Sequence, residues 1–286
     1  MSVSLRCYST SLGCPKNRVD TERLLGSLGV ALVPVESPDE AELVFINTCA
    51  FIQPATEESV RTIAQAIADI EELPKRPLLA VAGCLVGRYH AEDLAPELPE
   101  VDLWLDNSDL EAWPAMLARK LGLPEPTVPG RILSTGPSYA WLKISDGCRH
   151  ACSFCAIPNI RGGHRSHCKD MIVREARALL DQGVKELNLV AQDLTEWGCD
   201  LDGKQDFRTL LDGLLPLPGL ERLRLMYLYP AGMTHEMLKY LCEAGKPFVP
   251  YFDVPVQHSH PDVLSRMGRP FARNPREAID RIRNVF

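Results

Sequence analysis

The chain has 286 residues, a formal net charge of −7 at pH 7 and 10 cysteines. This length predicts two domains, each large enough for its own core. Cysteine is too sparse for the disulfide scaffold of a short secreted domain, and the start of the chain lacks the pattern of a signal peptide, so we expect reduced thiols in the cytoplasm. The lack of an apolar run of about 18 residues argues against a membrane span. The acidic balance argues against broad electrostatic capture of nucleic acid.

The first 121 residues alternate apolar strand patterns with helical patterns. Strands are predicted at 4–9, 30–35, 43–47, 78–82 and 101–105. Helices are predicted at 18–28 and 54–73, the second because Val60, Ile63 and Ile67 recur at steps of three and four residues. Such alternation is typical of an α/β domain whose parallel strands and crossover helices form an open, doubly wound sheet.

Three cysteines of this half, Cys14, Cys49 and Cys84, each follow a predicted strand at its carboxyl end. We call them the first triplet. Ligand sites of open α/β sheets gather at that edge, so the three thiols are expected to converge on one point. The alternative is that each is a small buried apolar residue, as most free cysteines are.

Residues 122–137 are rich in proline and glycine and have no periodicity, which predicts a linker between domains at 1–121 and 138–286. The second domain has predicted strands at 138–145, 186–191, 221–227 and 249–254. Its predicted helices lie at 171–180, 207–215, 236–243, 262–267 and 276–286. This pattern predicts a partial (β/α) barrel whose reactive face is built from the loops that follow the strands. The strands are too few to close a barrel, so we expect an incomplete one.

Cys148, Cys152 and Cys155, the second triplet, form a C-x3-C-x2-C motif on one short loop. A structural zinc ion takes four protein ligands in a closed shell, whereas a four-iron cluster held by three cysteines leaves one iron open for a small molecule. The spacing favours the cluster, because zinc ligands usually come as two spaced pairs. Zinc stays open as an alternative, with a fourth ligand from nearby residues. The candidates for that ligand are His150, His164, His167 and Cys168.

The second triplet, with Phe154 directly before its last cysteine, resembles the signature of the radical S-adenosylmethionine enzymes. Both halves together resemble the methylthiotransferase family of those enzymes, and this resemblance covers essentially the whole chain. It implies a flavodoxin-like N-terminal domain followed by a partial radical S-adenosylmethionine barrel. It also implies two 4Fe-4S clusters, an auxiliary cluster on the first triplet and a radical cluster on the second, with S-adenosylmethionine bound at the open iron of the radical cluster.

Within that family, several segments resemble the RimO branch, which modifies an aspartate of the twelfth small-subunit ribosomal protein. These segments are Gly13-Cys14-Pro15-Lys16-Asn17, Cys155-Ala156-Ile157-Pro158, Arg161-Gly162, Gln192-Asp193, Tyr227-Leu228-Tyr229-Pro230 and Asp253-Val254-Pro255-Val256-Gln257-His258. The tRNA-modifying branch usually reads Gly-Cys-Gln-Met-Asn in place of the first segment. Ser166-His167-Cys168 departs from the family, which commonly has Ser-Arg-Pro there. The resemblance also implies that the C-terminal TRAM domain is absent, so we expect a truncated chain.

The resemblance implies addition of a methylthio group to the β-carbon of that aspartate. Phe154, Gln192 and Asp193 are expected at the S-adenosylmethionine, the alternatives being a core position for Phe154 and capping of the next segment for the other two. Arg161 and Lys143 are expected either to bind carboxylates of substrate or cofactor or to be solvated. The implied partners are the ribosomal protein and an electron donor such as flavodoxin or ferredoxin. Two alternatives stay open: the same chemistry on tRNA, and a metal-binding or electron-transfer fragment without transferase activity.

Overall fold

The computed structural model describes residues 4–203, 205–269 and 275–286. The chain folds into two compact units. The first unit comprises residues 1–134 together with Asn159–Arg161, and the second comprises residues 135–158 and 162–286. Within the described part of the chain, no helix is both long enough and apolar enough to cross a membrane.

The first unit is built on a five-stranded sheet in the order β2-β1-β3-β4-β5, with every neighbouring pair parallel. Its strands are β1 (Ser4–Ser11), β2 (Ala31–Pro34), β3 (Leu43–Thr48), β4 (Leu78–Gly83) and β5 (Leu103–Leu105). Its helices are α1 (Pro15–Ser27), α2 (Gln53–Ile70), α3 (Cys84–Tyr89), α4 (Ala91–Leu94) and α5 (Trp113–Leu121). This strand order is that of flavodoxin-like sheets, so the predicted α/β fold of this half is confirmed.

The core of the first unit follows from the position of its central strand. Every residue of β3 is buried, because helices cover both faces of a parallel sheet. Phe45 of this strand packs in one apolar cluster with Leu25 of α1 and Trp113 of α5. The helix α5 ends at Gly122, whose φ of 69° gives the left-handed C-terminal cap that glycine adopts without strain.

The second half of the chain carries a four-stranded sheet in the order β11-β10-β9-β6, again with all neighbours parallel. Its strands are β6 (Tyr139–Lys143), β9 (Glu186–Val190), β10 (Arg222–Leu225) and β11 (Phe248–Phe252). The helices are α6 (Ile157–Arg161), α7 (Lys169–Asp181), α8 (Phe207–Leu214), α9 (His235–Ala244), α10 (Pro261–Arg266) and α11 (Pro275–Arg283). Parallel strands alternating with helices confirm the predicted partial barrel.

One element of this half differs from the prediction of a single strand over 138–145. The strand β6 ends at Lys143, and β7 (Ser145–Asp146) then pairs antiparallel with β8 (Arg165–Ser166). Each arm of this hairpin has two residues, which is too short to produce a recognisable period of two. The hairpin encloses the segment that carries the second triplet.

Part of the segment predicted as a linker is bonded to the first unit. The Glu22 carboxylate accepts hydrogen bonds from Arg131 Nε at 2.9 Å and Nη2 at 2.7 Å. It also accepts from the Ser134 backbone at 2.9 Å. The side chains of Arg131 and Glu22 are 5% and 2% exposed. Because this pair is buried and multiply bonded, residues 131–134 are fixed on α1.

Candidate metal centres

The first triplet lies at one edge of the five-stranded sheet. Cys14 directly precedes α1, Cys49 directly follows β3, and Cys84 is the first residue of α3. The strands β1, β3 and β4 are neighbours in the sheet, so their carboxyl ends meet at one edge. Burial raises the pKa of the Cys49 thiol, and the nearby thiolates of Cys84 and Cys14 raise it further. The structure therefore brings the three thiols together.

A glycine and a serine fix Cys49 in this arrangement. Gly13 has a φ of 82°, and a Cβ atom on it would lie 2.7 Å from the Cys49 Sγ atom. Only glycine tolerates both the left-handed backbone and that close approach. On the other side, the hydroxyl of Ser59 in α2 donates to the Cys49 carbonyl at 2.7 Å and accepts from its backbone N–H at 3.0 Å. The backbone of Cys49 is thus held from both sides.

The asparagine of the Gly-Cys-Pro-Lys-Asn segment connects the strand ends. The Asn17 carboxamide donates to the carbonyls of Leu12 at 2.9 Å and Thr48 at 2.8 Å, which belong to the loops after β1 and at the end of β3. Its oxygen lies 3.8 Å from the Cys84 Sγ atom. Asn17 is completely buried, so it acts as a structural bridge between the positions of the three thiols.

Arg161 reaches the same site, although it is distant in sequence. Its Nη2 atom lies 2.5 Å from Asn17 Oδ1 and 3.1 Å from Asp20 Oδ2. Its side chain is 2% exposed, so Arg161 is neither solvated nor free for a substrate carboxylate. The guanidinium lowers the pKa of Cys49 against the larger effect of burial. A buried cation here favours thiolates, which are the form of cysteine that ligates metals.

The second triplet lies on the loop between β7 and α6. Burial raises the pKa of Cys148 to about 11, and the charges of Asp193, Cys155 and Cys152 add to that rise. Cys155 N also donates to the Cys152 carbonyl at 3.0 Å, so the last two cysteines share one turn of this loop. Gly147, with a φ of 65°, precedes the first of them, and a Cβ atom on it would clash with the Gly163 carbonyl. The start of the loop thus requires glycine.

The rest of this loop is tied down by backbone hydrogen bonds. Cys148 N donates to the Gly162 carbonyl at 3.2 Å, and Ser153 N donates to the Met267 carbonyl at 3.1 Å. The Ser153 hydroxyl donates to the Arg266 carbonyl at 2.9 Å. The loop is therefore held by the segment after α6 at one end and by the end of α10 in its middle.

A stack of three side chains flanks the second triplet. His150 Nε2 lies 2.7 Å from Asp193 Oδ2, and the imidazole lies against the Tyr229 ring with centroids 3.9 Å apart and planes at 10°. The Arg269 guanidinium lies over the same Tyr229 ring at 4.7 Å. Arg269 Nη1 is 3.8 Å from the Cys152 Sγ atom. Sequence reasoning missed Arg269, because it is 117 residues from Cys152 and no local pattern relates the two.

The histidines considered as zinc ligands are engaged by other protein groups. His150 is bonded to Asp193, and His164 Nε2 lies 3.0 Å from the Ser166 hydroxyl. His167 Nε2 lies 3.2 Å from Asp146 Oδ2. The remaining candidate, Cys168, is exposed at the start of α7. Nε2 of each of the three imidazoles therefore has a protein partner, and Nδ1 of His167 also lies 3.2 Å from the Lys143 carbonyl.

The spacing of the sulfur atoms also bears on the kind of metal. Sulfurs bound to one tetrahedral zinc at about 2.3 Å lie about 3.8 Å apart. In the described part of the chain, two groups of three ligating side chains have their donor atoms within 4.8 Å of one another, and neither group contains a triplet. The members of these two groups are His164, Cys199, Asp200 and His150, Asp193, Glu196. Neither triplet is therefore drawn together as tightly as the ligands of a single zinc ion.

The residues predicted at the cofactor differ in their surroundings. Phe154 is 46% exposed, so its ring is not part of a core. Gln192 lies two residues after the end of β9. Its Nε2 and Oε1 atoms are both buried, and neither has a hydrogen-bond partner among the described residues. Asp193 is buried and caps the next turn by accepting from Thr195 N at 2.8 Å, while its other oxygen binds His150. An unpaired buried carboxamide at the carboxyl end of a barrel strand fits a ligand site.

Comparison with known proteins defines the class. The profile of the radical SAM superfamily matches residues 142–286, just over half of the chain, and that of the uncharacterized protein family UPF0004 matches residues 6–106. The chain therefore belongs to the radical SAM superfamily. The second profile covers most of the first unit, which contains the first triplet.

Curated relatives narrow the class further. The chain is 68% identical over 98% of its length to the ribosomal protein uS12 methylthiotransferase RimO of Nitratidesulfovibrio vulgaris strain DP4. It is 60% identical over its whole length to the RimO of Lawsonia intracellularis, and 45% identical over 96% to that of Aquifex aeolicus. The chain spans 65% of the length of the first two relatives and 61% of the third. The resemblance to the RimO branch is thereby confirmed.

Solved structures support the fold at low sequence identity. The radical S-adenosylmethionine methyltransferase TsrM from Kitasatospora setae, with cobalamin and a [4Fe-4S] cluster bound, matches with a TM-score of 0.64 and 14% identity, over 100% of this chain and 67% of that one. The cobalamin-dependent S-adenosylmethionine radical enzyme OxsB matches with a TM-score of 0.61 and 12% identity, over 99% and 48%. At this identity the likeness concerns the fold alone.

Proposed function

We propose that the chain is part of a radical S-adenosylmethionine methylthiotransferase that adds a methylthio group to the β-carbon of an aspartate in ribosomal protein uS12, the twelfth protein of the small subunit. The observation that carries this proposal is the pair of cysteine triplets, the first at the carboxyl ends of three parallel strands and the second on the loop between β7 and α6. A single triplet would suffice for generating a radical. A second one is needed only if another iron-sulfur centre takes part, as sulfur insertion requires.

The proposed cofactors are two 4Fe-4S clusters and S-adenosylmethionine. The first triplet, Cys14, Cys49 and Cys84, would hold the auxiliary cluster, and the second triplet would hold the radical cluster. When bound, these groups supply a carbon-centred radical and the sulfur. Amino-acid side chains cannot supply either, since general acid-base catalysis accelerates a reaction only about 10²- to 10⁴-fold. The chain itself supplies three thiolates to each cluster and leaves a fourth iron of each without a cysteine.

Phe154, Gln192 and Asp193 are proposed to surround the S-adenosylmethionine. The exposed Phe154 ring offers an apolar face next to the last cysteine of the second triplet. The Gln192 carboxamide offers a donor and an acceptor that lack protein partners among the described residues. The carboxylate of Asp193 contributes through His150, whose imidazole it orients against the Tyr229 ring and whose backbone N–H donates to Cys148 Sγ at 3.4 Å.

The proposed partners are the ribosomal protein and a small electron donor such as flavodoxin or ferredoxin, both met in the cytoplasm. The net charge of −7 disfavours strong binding to nucleic acid, which supports a protein substrate over tRNA. The pair Pro15-Lys16 after the first cysteine supports the same choice, since the tRNA-modifying branch usually has Gln-Met there.

Anaerobic reconstitution followed by an activity assay tests this proposal. The chain should bind about eight irons and eight sulfides, two clusters' worth. With S-adenosylmethionine and a reductant, mass spectrometry should then detect one added methylthio group on the aspartate peptide of uS12. Zinc without labile sulfide would refute the radical chemistry. Modification of tRNA adenosines, with uS12 unchanged, would refute the substrate while leaving the chemistry intact.

A further inference from the structure

We propose that Arg269 is a positioning residue that raises the reduction potential of the iron-sulfur cluster on the second triplet by donating a hydrogen bond to the Cys152 sulfur. This inference rests on the proposed function in one respect, namely that Cys148, Cys152 and Cys155 hold a cluster. It concerns a residue outside the cysteine motif and outside the proposed cofactor site.

Arg269 is a buried cation close to a cluster ligand. The residue is 4% exposed, and its Nη1 atom lies 3.8 Å from Cys152 Sγ, within the range of an N–H···S hydrogen bond. Its Nη2 atom donates to the Pro255 carbonyl at 3.1 Å. Burying a guanidinium is costly unless it is paired. A thiolate ligand of an anionic cluster is the kind of group that compensates such a charge.

The stack determines where the guanidinium sits. The Tyr229 ring contacts both the Arg269 guanidinium, at 4.7 Å from its centroid, and the His150 imidazole, which stacks on it at 3.9 Å. Burial raises the pKa of Tyr229 to about 12, so the ring stays neutral and its π face can attract the cation. Asp193 fixes the imidazole through its 2.7 Å contact. Asp193 thus fixes His150, His150 packs on Tyr229, and Tyr229 contacts Arg269. These contacts limit the movement of the Arg269 guanidinium away from Cys152.

The direction of the effect follows from charge. One-electron reduction adds a negative charge to the cluster, and hydrogen bonds to cluster sulfurs stabilise the more negative state. A donor that is also cationic, fixed and desolvated interacts more strongly than a solvated one. Arg269 therefore favours the reduced cluster, the state that passes an electron to S-adenosylmethionine. The guanidinium also opposes the effect of burial on the pKa of the Cys152 thiol, which is consistent with attraction between the two groups.

Potentiometric titration of the reconstituted full chain, followed by electron paramagnetic resonance of the reduced cluster, tests the inference. Signals of the two clusters are distinguished with a variant in which the first triplet is changed to alanine. Arg269→Met should shift the one-electron equilibrium at least tenfold towards the oxidised form, a potential lower by about 59 mV. Arg269→Lys keeps a cation without the planar fork, so it should lie between the wild type and the methionine variant.

Arg208→Met is the matched control, because Arg208 also lies over a tyrosine ring, that of Tyr240 at 4.6 Å, but is exposed on α8, outside the segments that hold the second triplet. Its potential should equal that of the wild type. Tyr229→Leu removes the ring that holds Arg269 and should lower the potential, whereas Tyr229→Phe keeps the ring and should not. This pair decides the matter if Arg269→Met fails to assemble its cluster.

The outcomes separate the two proposals. A normal iron content with an unchanged potential in Arg269→Met, or in both Arg269→Lys and Tyr229→Leu, overturns the role of Arg269 and leaves the proposed function intact. A wild-type chain that takes up no cluster on the second triplet overturns the proposed function, and the inference with it.

Discussion

At the scale of single residues, some charged side chains have a structural role in the site. From the sequence alone, these side chains are possible contacts to substrate or cofactor. Lys143 at the end of β6 is 1% exposed, and its Nζ lies 3.0 Å and 2.9 Å from the two oxygens of Asp146 in β7. His167 joins the pair by lying 3.2 Å from the same carboxylate. This buried network fixes the start of the loop that carries the second triplet. The role of Lys143 is therefore structural, and it does not bind substrate.

We expect Asp146→Ala to destabilise the second unit by about 3–5 kcal/mol, because it leaves a buried ammonium without its counter-charge. The measurement is chemical denaturation followed by tryptophan fluorescence. Glu243→Ala is the control, since Glu243 pairs with Lys239 at 3.8 Å while both side chains are 67% exposed. That exposed pair should change stability by less than about 0.5 kcal/mol. An equal effect of both variants would contradict the assignment of a structural role to Asp146.

At the scale of elements, each triplet depends on a glycine that precedes its first cysteine. Gly13 allows the turn after β1 to approach Cys49, and Gly147 allows the turn after β7 to approach the carbonyl of Gly163. Both glycines have positive φ angles, of 82° and 65°. The strands and helices thus set the direction of the chain, while these turns set the distance between the thiols.

Substituting each glycine should therefore remove one cluster and spare the other. Gly13→Ala should lose about half of the bound iron and sulfide while cleavage of S-adenosylmethionine persists. Gly147→Ala should lose the other half and abolish cleavage. Gly163→Ala is the control, because a Cβ atom there meets nothing within 4 Å. Full iron content in Gly13→Ala and Gly147→Ala would show that the loops adapt, against the argument from close approach.

At the scale of the whole molecule, the two triplets belong to different units of the fold. Each unit has its own parallel sheet and its own core, and each gathers its thiols at the carboxyl ends of its own strands or in the loop beside them. Such independence predicts that one site can be removed while the other keeps its structure.

Changing Cys14, Cys49 and Cys84 together to alanine should leave reductive cleavage of S-adenosylmethionine to 5'-deoxyadenosine intact and abolish sulfur insertion. The reason is that the second triplet and its anchors lie in the other unit. Chromatography of the nucleoside product and mass spectrometry of the peptide measure the two steps separately. Loss of cleavage in this variant, with the second cluster still assembled, would argue against the division of roles. Changing the second triplet to alanine is the reciprocal variant and should abolish both steps.

The sequence by itself determined the features that depend on local pattern. The period of the apolar residues predicted the strands of both sheets, and the position of Cys14, Cys49 and Cys84 just after three of those strands predicted that they would lie at one edge of the sheet. The spacing of the second triplet and the segments around it led to the radical S-adenosylmethionine superfamily. These predictions succeeded because strand direction and motif spacing are encoded over a few residues.

Only the tertiary structure decided which distant side chains complete each site. Arg161 reaches Asn17 across 144 positions, and Arg269 reaches Cys152 across 117. The hairpin of β7 and β8 and the burial of Lys143 were likewise invisible in the sequence. The local sequence around an arginine or lysine does not show whether its side chain is solvated or buried. Its partners come from distant segments that tertiary packing brings together. The cysteine triplets can therefore be predicted from local sequence, whereas the charged residues around them are placed by the tertiary structure.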